Sequence, residues 1–270
     1  MKRFVYYVKL AFYLLKVNIM SDFQYRAYLI SYFISNPMQF IFGLITVHVV
    51  ISRFQPLGGW SFGQVVFLYG LGIISHGLSI VFFIQGWYIE YGIAEGSFDR
   101  LIIRPINTFF QICFDNFNFI GFTDLIPGLI VFVYGCVVSG FQVTLVNILK
   151  ILIIIIGATL LRGGLFYLTG SLSFWTRRSR SIIGIHLTMF DYTTRYPINI
   201  YPEALQGIFT FLIPYGFIAF YPASELLNLQ TGLMLPGSLS LWTLLVGVCV
   251  FLLSVAVFNI GMKRYESAGS

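Results

Sequence analysis

Long apolar segments follow one another along the sequence, and each is long enough to cross a bilayer as a helix. A membrane-spanning helix needs roughly 20 mostly apolar residues to cover about 30 Å of hydrocarbon. The pattern predicts clear spans at residues 27–51, 63–89, 117–138, 144–172 and 238–261. We therefore expect an all-α polytopic membrane protein that forms a single transmembrane domain over residues 1–270.

The interval between residues 182 and 237 is also apolar, but prolines interrupt it. Proline lacks an amide donor and clashes with the preceding helical turn, so a continuous helix through all of them is excluded. These prolines are Pro197, Pro202, Pro214, Pro222 and Pro236. The pattern predicts a sixth span at 182–200 and a re-entrant extracellular element at 201–237, since irregular backbone at membrane depth needs protein or a water cavity around it.

Composition supports the membrane class and removes the main alternatives. The sequence is 58% hydrophobic and 10% charged, whereas soluble domains average about 45–50% apolar and about 25% charged residues. Its 29 Phe and 17 Tyr also exclude a disordered chain, because such chains are poor in aromatic residues. The few charged residues should therefore be informative.

Positive charge sorts to one side of this six-span arrangement. Of the 16 basic residues, 12 fall in the N-terminal segment, the loops after spans two and four, and the C-terminal tail. Cytoplasmic loops carry the excess of Lys and Arg, so both termini are predicted to be cytoplasmic, in the cell (inner) membrane. This sorting also explains most of the net charge of +6, and no nucleic-acid partner is expected.

The first 26 residues carry basic side chains on one helical face. Lys2, Lys9 and Lys16 recur every seven residues, and apolar side chains cover much of the remaining surface. Residues 1–26 are predicted to form an amphipathic helix that lies in the headgroup layer and contacts membrane lipid. The alternative is a basic leader that only sets topology. Lys9 and Lys16 interrupt any apolar core, so a cleavable signal peptide is not expected.

The loop at residues 91–110 predicts a short cytoplasmic helix. Ser97 suits an N-cap, Asp99 lies in the first turn, and Arg104 precedes Pro105 at the other end. Phe98, Leu101 and Ile102 would then form an apolar face. Two helical turns are too short to be stable alone, so this helix must dock on the membrane or on a partner. The simpler alternative is a helix stop in a solvated turn.

This loop resembles the coupling helix of permease subunits from type-2 ATP-binding-cassette (ABC) exporters, which export drugs, lipids and polysaccharides. The shared features are the six-span layout, the stretch from Gly92 to Pro105, and the later Tyr-Pro series. Ile102 and Ile103 occupy positions where the family often has Leu. The resemblance implies that residues 97–105 insert into a separate ABC ATPase subunit. The contacting residues would be Ser97, Phe98, Asp99, Arg100, Leu101, Ile102, Arg104 and Pro105.

In the same family, short extracellular helices close the outer mouth of the pathway, and the Tyr-Pro series resembles them. The predicted gate residues are Tyr196, Pro197, Tyr201, Pro202, Pro214, Tyr221 and Pro222. Glu203 is expected in a first helical turn after Pro202, and Pro222 with Ser224 and Glu225 should start another. The tyrosines, including Tyr215, suit the outer interface. An interfacial loop anchored by aromatic residues is the alternative.

Two charges lie inside the predicted spans. Asp124 in span three and Arg162 in span four fall at comparable depth, and isolated membrane charges need partners. We expect an Asp124–Arg162 ion pair, either a structural clamp or, less simply, a substrate contact. Lys150 should snorkel to the outer surface. His48, His76 and His186 have no second ligand at metal spacing, so they are expected to be buried or interfacial histidines, and no metal site is predicted.

The sequence carries no Walker-A phosphate loop, and the dipeptide Gly-Lys never occurs. The chain is therefore not expected to be an enzyme by itself or to bind a cofactor. The family implies that ATP and Mg²⁺ are used by the partner ATPase, and that a second permease protomer, identical or paralogous, completes the pathway. We expect export of a hydrophobic or amphipathic substrate. An ion-coupled secondary transporter and a non-transporting membrane scaffold are the alternatives.

Overall fold

The computed structural model is a bundle of antiparallel helices. It describes residues 9–10, 13, 16–20, 24, 26–53, 57–115, 117–176, 179–230 and 237–266. The helices, in chain order, are α1 (Arg26–Arg53), α2 (Phe62–Phe83), α3 (Ile89–Ala94), α4 (Phe98–Ile102), α5 (Thr108–Asp115), α6 (Gly121–Ser139), α7 (Leu145–Ser171), α8 (Ser173–Thr176), α9 (Arg180–Arg195), α10 (Glu203–Gly207), α11 (Phe220–Leu226) and α12 (Leu239–Met262). The all-α prediction is confirmed.

Five of the described helices are long and apolar enough to cross a membrane. They are Arg26–Arg53, Phe62–Ala94 (α2 continued through a 3₁₀ turn and α3), Gly121–Ser139, Leu145–Thr176 and Leu239–Met262. Each lies within a few residues of a predicted span, so these five predictions are confirmed. Lipid-facing side chains such as Ile45, Val137 and Leu252 are exposed, as expected for surfaces that meet hydrocarbon.

The two ends of the bundle are marked by polar contacts. At one end Tyr265 donates to Asp99, and the Ser179 amide donates to Glu90; we name it the Asp99 end. At the other, Lys150 donates to Glu225, and Asn199 donates to the Gly58 carbonyl; this is the Glu225 end.

The predicted sixth span at 182–200 differs from the observed helix. Helix α9 has 16 residues and ends at Arg195, because Tyr196 is extended, as residues before a proline usually are. It is absent from the five described helices that pass the span criteria. Its first residues nevertheless adjoin the Asp99 end and its last residues the Glu225 end. At 1.5 Å per residue it covers about 24 Å, so it passes through the bundle as an amphipathic helix.

The region after α9 bends back on itself. Segments Glu203–Leu212 and Tyr215–Leu226 meet at 75°, the geometry of either a broken span or a re-entrant loop. Residues 231–236 lie outside the described ranges. The predicted re-entrant element therefore stays a prediction, and the bundle has five or six spans.

The predicted N-terminal helix falls largely on residues outside the described ranges. The described residues 9–10, 13 and 16–20 are helical, and Lys9 and Lys16 are exposed. Lys2 lies outside those ranges. An interfacial position for residues 1–26 stays a prediction.

Glycines at seven-residue intervals hold α2 and α6 together. Gly63, Gly70 and Gly77 on α2 face α6, while Gly121, Gly128 and Gly135 on α6 face α2. A Cβ added at Gly70 would lie 2.5 Å from the Cα and N of Phe132. The two backbones are therefore in direct van der Waals contact, which is how membrane helices associate without a hydrophobic driving force. We name these six residues the glycine ladder.

A second pair of helices, α7 and α12, is also held in close backbone contact by small residues. A Cβ at Gly157 or at Gly164 would meet the α12 backbone at Leu244 or at Phe251. On α12, buried small residues recur at the same interval: Ser240, Gly247, Ser254 and Gly261. This seven-residue spacing of small residues was not predicted, although it is present in the sequence.

We expect Gly70→Ala to destabilise the protein by about 1–3 kcal/mol, because overpacking a close contact forces the backbones apart. The matched control is Gly184→Ala on α9, where an added Cβ meets no atom within 4 Å. The measurement is the thermal unfolding midpoint of each purified variant in neutral detergent. Equal midpoints for the two variants would contradict backbone contact at the glycine ladder.

Candidate functional site

The short helix α4 at the Asp99 end is anchored by an aromatic cluster. Phe98 is 3% exposed, and its ring contacts those of Phe174, Phe258 and Tyr265 at centroid distances between 5.7 and 6.3 Å. Phe98 therefore belongs to the core of the chain. The prediction that it forms part of a free docking face is wrong, because aromatic residues from α8, α12 and the C-terminal segment enclose it.

The exposed part of this loop comes just after Phe98. Ile103 is 82% exposed, and Arg100, Ile102, Arg104 and Pro105 are exposed too, while Leu101 is half-buried. We name residues 102–105 the exposed tip. The tip thus presents two exposed isoleucines, Ile102 and Ile103, next to Arg104.

Ser97 does not cap this helix. Its hydroxyl donates to the Gly92 carbonyl at 3.3 Å, and it makes no side-chain cap hydrogen bond. Asp99 accepts from the Tyr265 hydroxyl at 3.0 Å. Gln111, which sequence reasoning missed, donates to the carbonyls of Leu101 and Ile106. Three local hydrogen bonds and one to the C-terminal segment thus hold the loop, and the Tyr265 bond fastens α4 to the bundle.

The carboxylate of Asp124 joins α6 to α1 and α2. Asn36 on α1 donates to its Oδ1 at 2.6 Å and to the Thr123 hydroxyl at 2.8 Å. The other oxygen, Oδ2, lies 3.6 Å from His76 Nε2. Asn36 was not singled out from the sequence, because an amide on an apolar segment carries no signal of its partner.

Arg162 occupies a different position in the bundle. Its Nη1 donates to the Gly72 carbonyl at 3.1 Å, and its Cζ lies 4.0 Å from the centroid of the Phe190 ring. The predicted direct Asp124–Arg162 ion pair is therefore not formed between these two described residues. The two residues lie at comparable depth in the bundle. On α2, however, Asp124 contacts His76 and Arg162 donates to the Gly72 carbonyl.

Arg162 and His76 line a cavity of about 380 Å³ together with residues from α1 and α9. Its remaining walls are Gln39, Ile80, Trp87, Leu187, Thr188, Phe190, Asp191, Tyr192 and Arg195. Arg195 and Asp191 form an ion pair at 3.2 Å. We name this space the Arg162 cavity. The polar face of amphipathic α9 supplies half of its lining, which explains why a helix in this position keeps charged residues.

The family of the chain follows from its sequence as a whole. The family described as "ABC-2 family transporter protein" matches residues 37–269, which include every helix from α2 to α12 and most of α1. The chain belongs to this family. No curated protein matches it.

The ABC-2 membership agrees with the multi-pass helical architecture and makes this chain a membrane transport component rather than a catalyst. Within the described residues no group of three or more His, Cys, Asp or Glu could hold a metal ion.

The Tyr-Pro series of this ABC-2 chain lies mostly inside the protein. Tyr215 and Tyr221 are buried, so their side chains pack inside the protein, and their position at the outer interface stays a prediction. The Tyr215 hydroxyl bonds to His186 Nδ1 at 2.6 Å, and Tyr221 bonds to the Thr210 hydroxyl at 2.5 Å. A phenol can enter a core when it finds such a partner. Pro197, Pro214 and Pro222 are buried, whereas Pro202 is exposed and Tyr196 and Tyr201 are half-buried.

Two details of the following segment also differ from the predictions. Helix α10 begins at Glu203 after Pro202, as predicted, but α11 begins at Phe220, two residues before Pro222. Ser224 and Glu225 therefore lie in its last turns. Lys150 does not snorkel freely; its Nζ lies 2.7 Å from Glu225 Oε1.

Glu225 gathers three elements at the Glu225 end. Besides Lys150 on α7, it accepts from the Ser238 hydroxyl and from both the amide and hydroxyl of Ser240 at the start of α12. One carboxylate thus ties α11 to both helices of the α7–α12 pair.

We expect the stability effects of Asn36→Ala and Asp124→Ala to be coupled by at least about 0.5 kcal/mol, because the residues share a hydrogen bond. In a parallel cycle, Asp124→Ala and Arg162→Ala should show weaker coupling than the first pair, since their side chains do not touch. Unfolding midpoints of the single and double variants measure both terms. Strong coupling between Asp124 and Arg162, or rescue by reversing both charges, would restore the ion-pair hypothesis.

Proposed function

We propose that this chain is the membrane-spanning permease subunit of an ATP-driven exporter and that a separate ABC ATPase docks on it. Family membership and the multi-pass architecture support a transport permease. The observation that carries the ATPase part is the Asp99 end, where a rigidly held short helix presents exposed isoleucines beside basic side chains.

The proposed orientation places the Asp99 end in the cytoplasm. The basic residues Arg100, Arg104, Arg180, Lys263 and Arg264 all lie at that end of the described chain. Positive charge concentrates on cytoplasmic loops, and an ATPase that uses cellular ATP and Mg²⁺ needs its docking surface there. The cell (inner) membrane is the corresponding location.

Two parts of the loop at residues 97–105 have different roles in this proposal. Phe98 joins the helix to α8 and α12, while Ile102, Ile103, Arg104 and Pro105 form the surface that the ATPase contacts. Arg100 lies beside this surface. The refined coupling site thus keeps the predicted segment but moves its contact face by about one helical turn, toward Pro105.

The Arg162 cavity is the proposed part of the translocation pathway that this chain supplies. It combines charged and aromatic walls in the middle of an apolar bundle, where ionisable residues mark substrate pathways. It opens toward α1, most of whose surface is exposed, so a second permease protomer placed against α1 would enclose the pathway. At the opposite end, the Tyr-Pro residues from Tyr196 to Pro222 would close its outer mouth.

In this proposal, the ATPase acts on the arrangement of the bundle through the short helix α4, on which it docks. A partner ATPase that binds one arrangement of the bundle more tightly after ATP binding shifts the population toward that arrangement. A hydrophobic or amphipathic substrate fits a pathway whose walls alternate between aromatic rings and a few polar groups.

We expect Ile103→Asp to reduce association with the ATPase at least tenfold, because it buries a carboxylate in an apolar contact. The matched control is Leu212→Asp, which changes a similarly exposed aliphatic residue in the segment between α10 and α11. The measurement is recovery of a Walker-A-containing ABC ATPase with the tagged full-length chain, quantified by mass spectrometry.

Two results would contradict the docking proposal. One is equal ATPase recovery with wild type and Ile103→Asp. The other is ATP-independent, proton-driven flux from the purified chain alone in liposomes, which would favour a secondary transporter.

A further inference from the structure

Arg162 keeps unused hydrogen-bonding capacity inside the bundle. It is 3% exposed, and a guanidinium carries five N–H donors. Among the described residues, its Nη1 donates to the Gly72 carbonyl, and its Nε has no partner. A buried unpaired donor on a cation is costly. The residue is retained in an apolar helix at this cost, which points to a ligand that completes its bonding.

A second arginine faces the same space with the same property. Arg195 lines the Arg162 cavity and bonds to Asp191 through Nη2, yet its buried Nε also lacks a partner within the described structure. Asp191 is itself largely exposed. Two guanidinium groups therefore line the same cavity as the Asp191 carboxylate, and each has a buried Nε without a partner among the described residues.

Other charged and titratable groups lie around the cavity. From α6, Asp124 is a second carboxylate, and its oxygens lie against Asn36 and His76 rather than against the two arginines. From α1 the cavity receives only the neutral amide of Gln39, and from α2 the imidazole of His76. His186 on α9 is turned away, toward Tyr215.

A groove continues from this cavity along α1, and Met38, Phe42 and Gly43 form its apolar part. The groove, of about 580 Å³, is lined by Ser35, Met38, Gln39, Phe42, Gly43, Thr46 and Arg195. Gln39 and Arg195 are common to both spaces, so a ligand can have its charged group in one and its apolar part in the other. Both volumes lie in the range of small-molecule sites, about 300–1,000 Å³.

We propose that the Arg162 cavity binds the oxyanion headgroup, a phosphate or carboxylate, of an anionic amphiphile whose apolar chain lies in the α1 groove. The two arginine Nε groups, together with the remaining Nη donors, supply charge-assisted hydrogen bonds to the oxyanion. Trp87 and Phe190 form the apolar wall behind it. This inference rests on the proposed permease function and names the substrate class that such a permease would carry.

The test uses the purified full-length chain in neutral maltoside detergent with radiolabelled dodecyl phosphate as the probe. Saturable binding is expected, with dodecyltrimethylammonium, of the same chain length and opposite charge, binding at least tenfold more weakly. Inorganic phosphate at millimolar concentration should displace the probe from the headgroup site. Binding of the ammonium probe as tight as that of the phosphate probe would overturn the proposal.

The variants locate the site. Arg162→Gln should weaken dodecyl phosphate binding at least tenfold, and Arg162→Lys should retain part of the affinity because it keeps the charge but not the planar fork. The matched control is Arg53→Gln at the exposed end of α1, which removes the same charge outside the cavity and should bind like wild type. Unchanged affinity in Arg162→Gln would contradict the proposal.

A folding defect in Arg162→Gln would not end the test. Arg195→Gln, at the mouth of the cavity, is then compared with Arg53→Gln, and equal affinities would overturn the anion site. ATPase recovery is measured on the same samples. Selective anion binding without ATPase recovery would refute the permease proposal alone, whereas ATPase recovery without selective anion binding would refute only the anion site.

Discussion

Backbone-to-backbone contact between α2 and α6 is the constraint on which the rest of this protein depends. The glycine ladder brings these antiparallel helices closer than any side chain would allow. Lipid offers no hydrophobic force to hold helices together, so van der Waals contact over a long, flush surface must do so. The α7–α12 pair repeats the arrangement. Two tightly joined pairs therefore form the frame to which the other helices attach.

The frame determines where the polar cavity can exist. Gly72 on α2 accepts hydrogen bonds at its carbonyl from Arg162 and from the Ser75 hydroxyl. Because it has no Cβ, Thr194 of α9 can approach its Cα. Helices α2, α7 and α9 thus converge on one residue. The space left between α9 and α1, beyond this convergence, is the Arg162 cavity.

Hydropathy predicted the helical class and the five long spans. A continuous apolar segment in a bilayer must satisfy its own backbone hydrogen bonds, and it does so as a helix. Hydropathy did not give the correct bounds of α9, because charged residues of this helix line a cavity rather than contact lipid. Hydropathy also does not show which polar side chains contact one another. Asp124 and Arg162 match in depth, yet the pairing depends on the rotation of each helix. The glycine ladder sets that rotation for α6, and the contacts at Gly157 and Gly164 set it for α7.

The sequence predicted the location of the candidate site but not its contacts with the rest of the chain. The loop at 97–105 carries a local signature, so its existence and position were predictable. Which of its faces is free depends on Phe174, Phe258 and Tyr265, residues far along the chain. The tyrosines of the Tyr-Pro series were expected at the interface on their amphipathic character alone. Tyr215 and Tyr221 are buried because His186 and Thr210 satisfy their hydroxyls.

The aromatic anchor at Phe98 has a mechanical consequence. Its ring is clamped between α8 and the end of α12, and Tyr265 ties the same helix to the C-terminal segment. Through this ring the loop that carries the exposed tip is joined to α12, and the close contacts at Gly157 and Gly164 join α12 to α7, the helix that carries Arg162. A continuous series of packed contacts therefore connects the exposed tip with the Arg162 cavity.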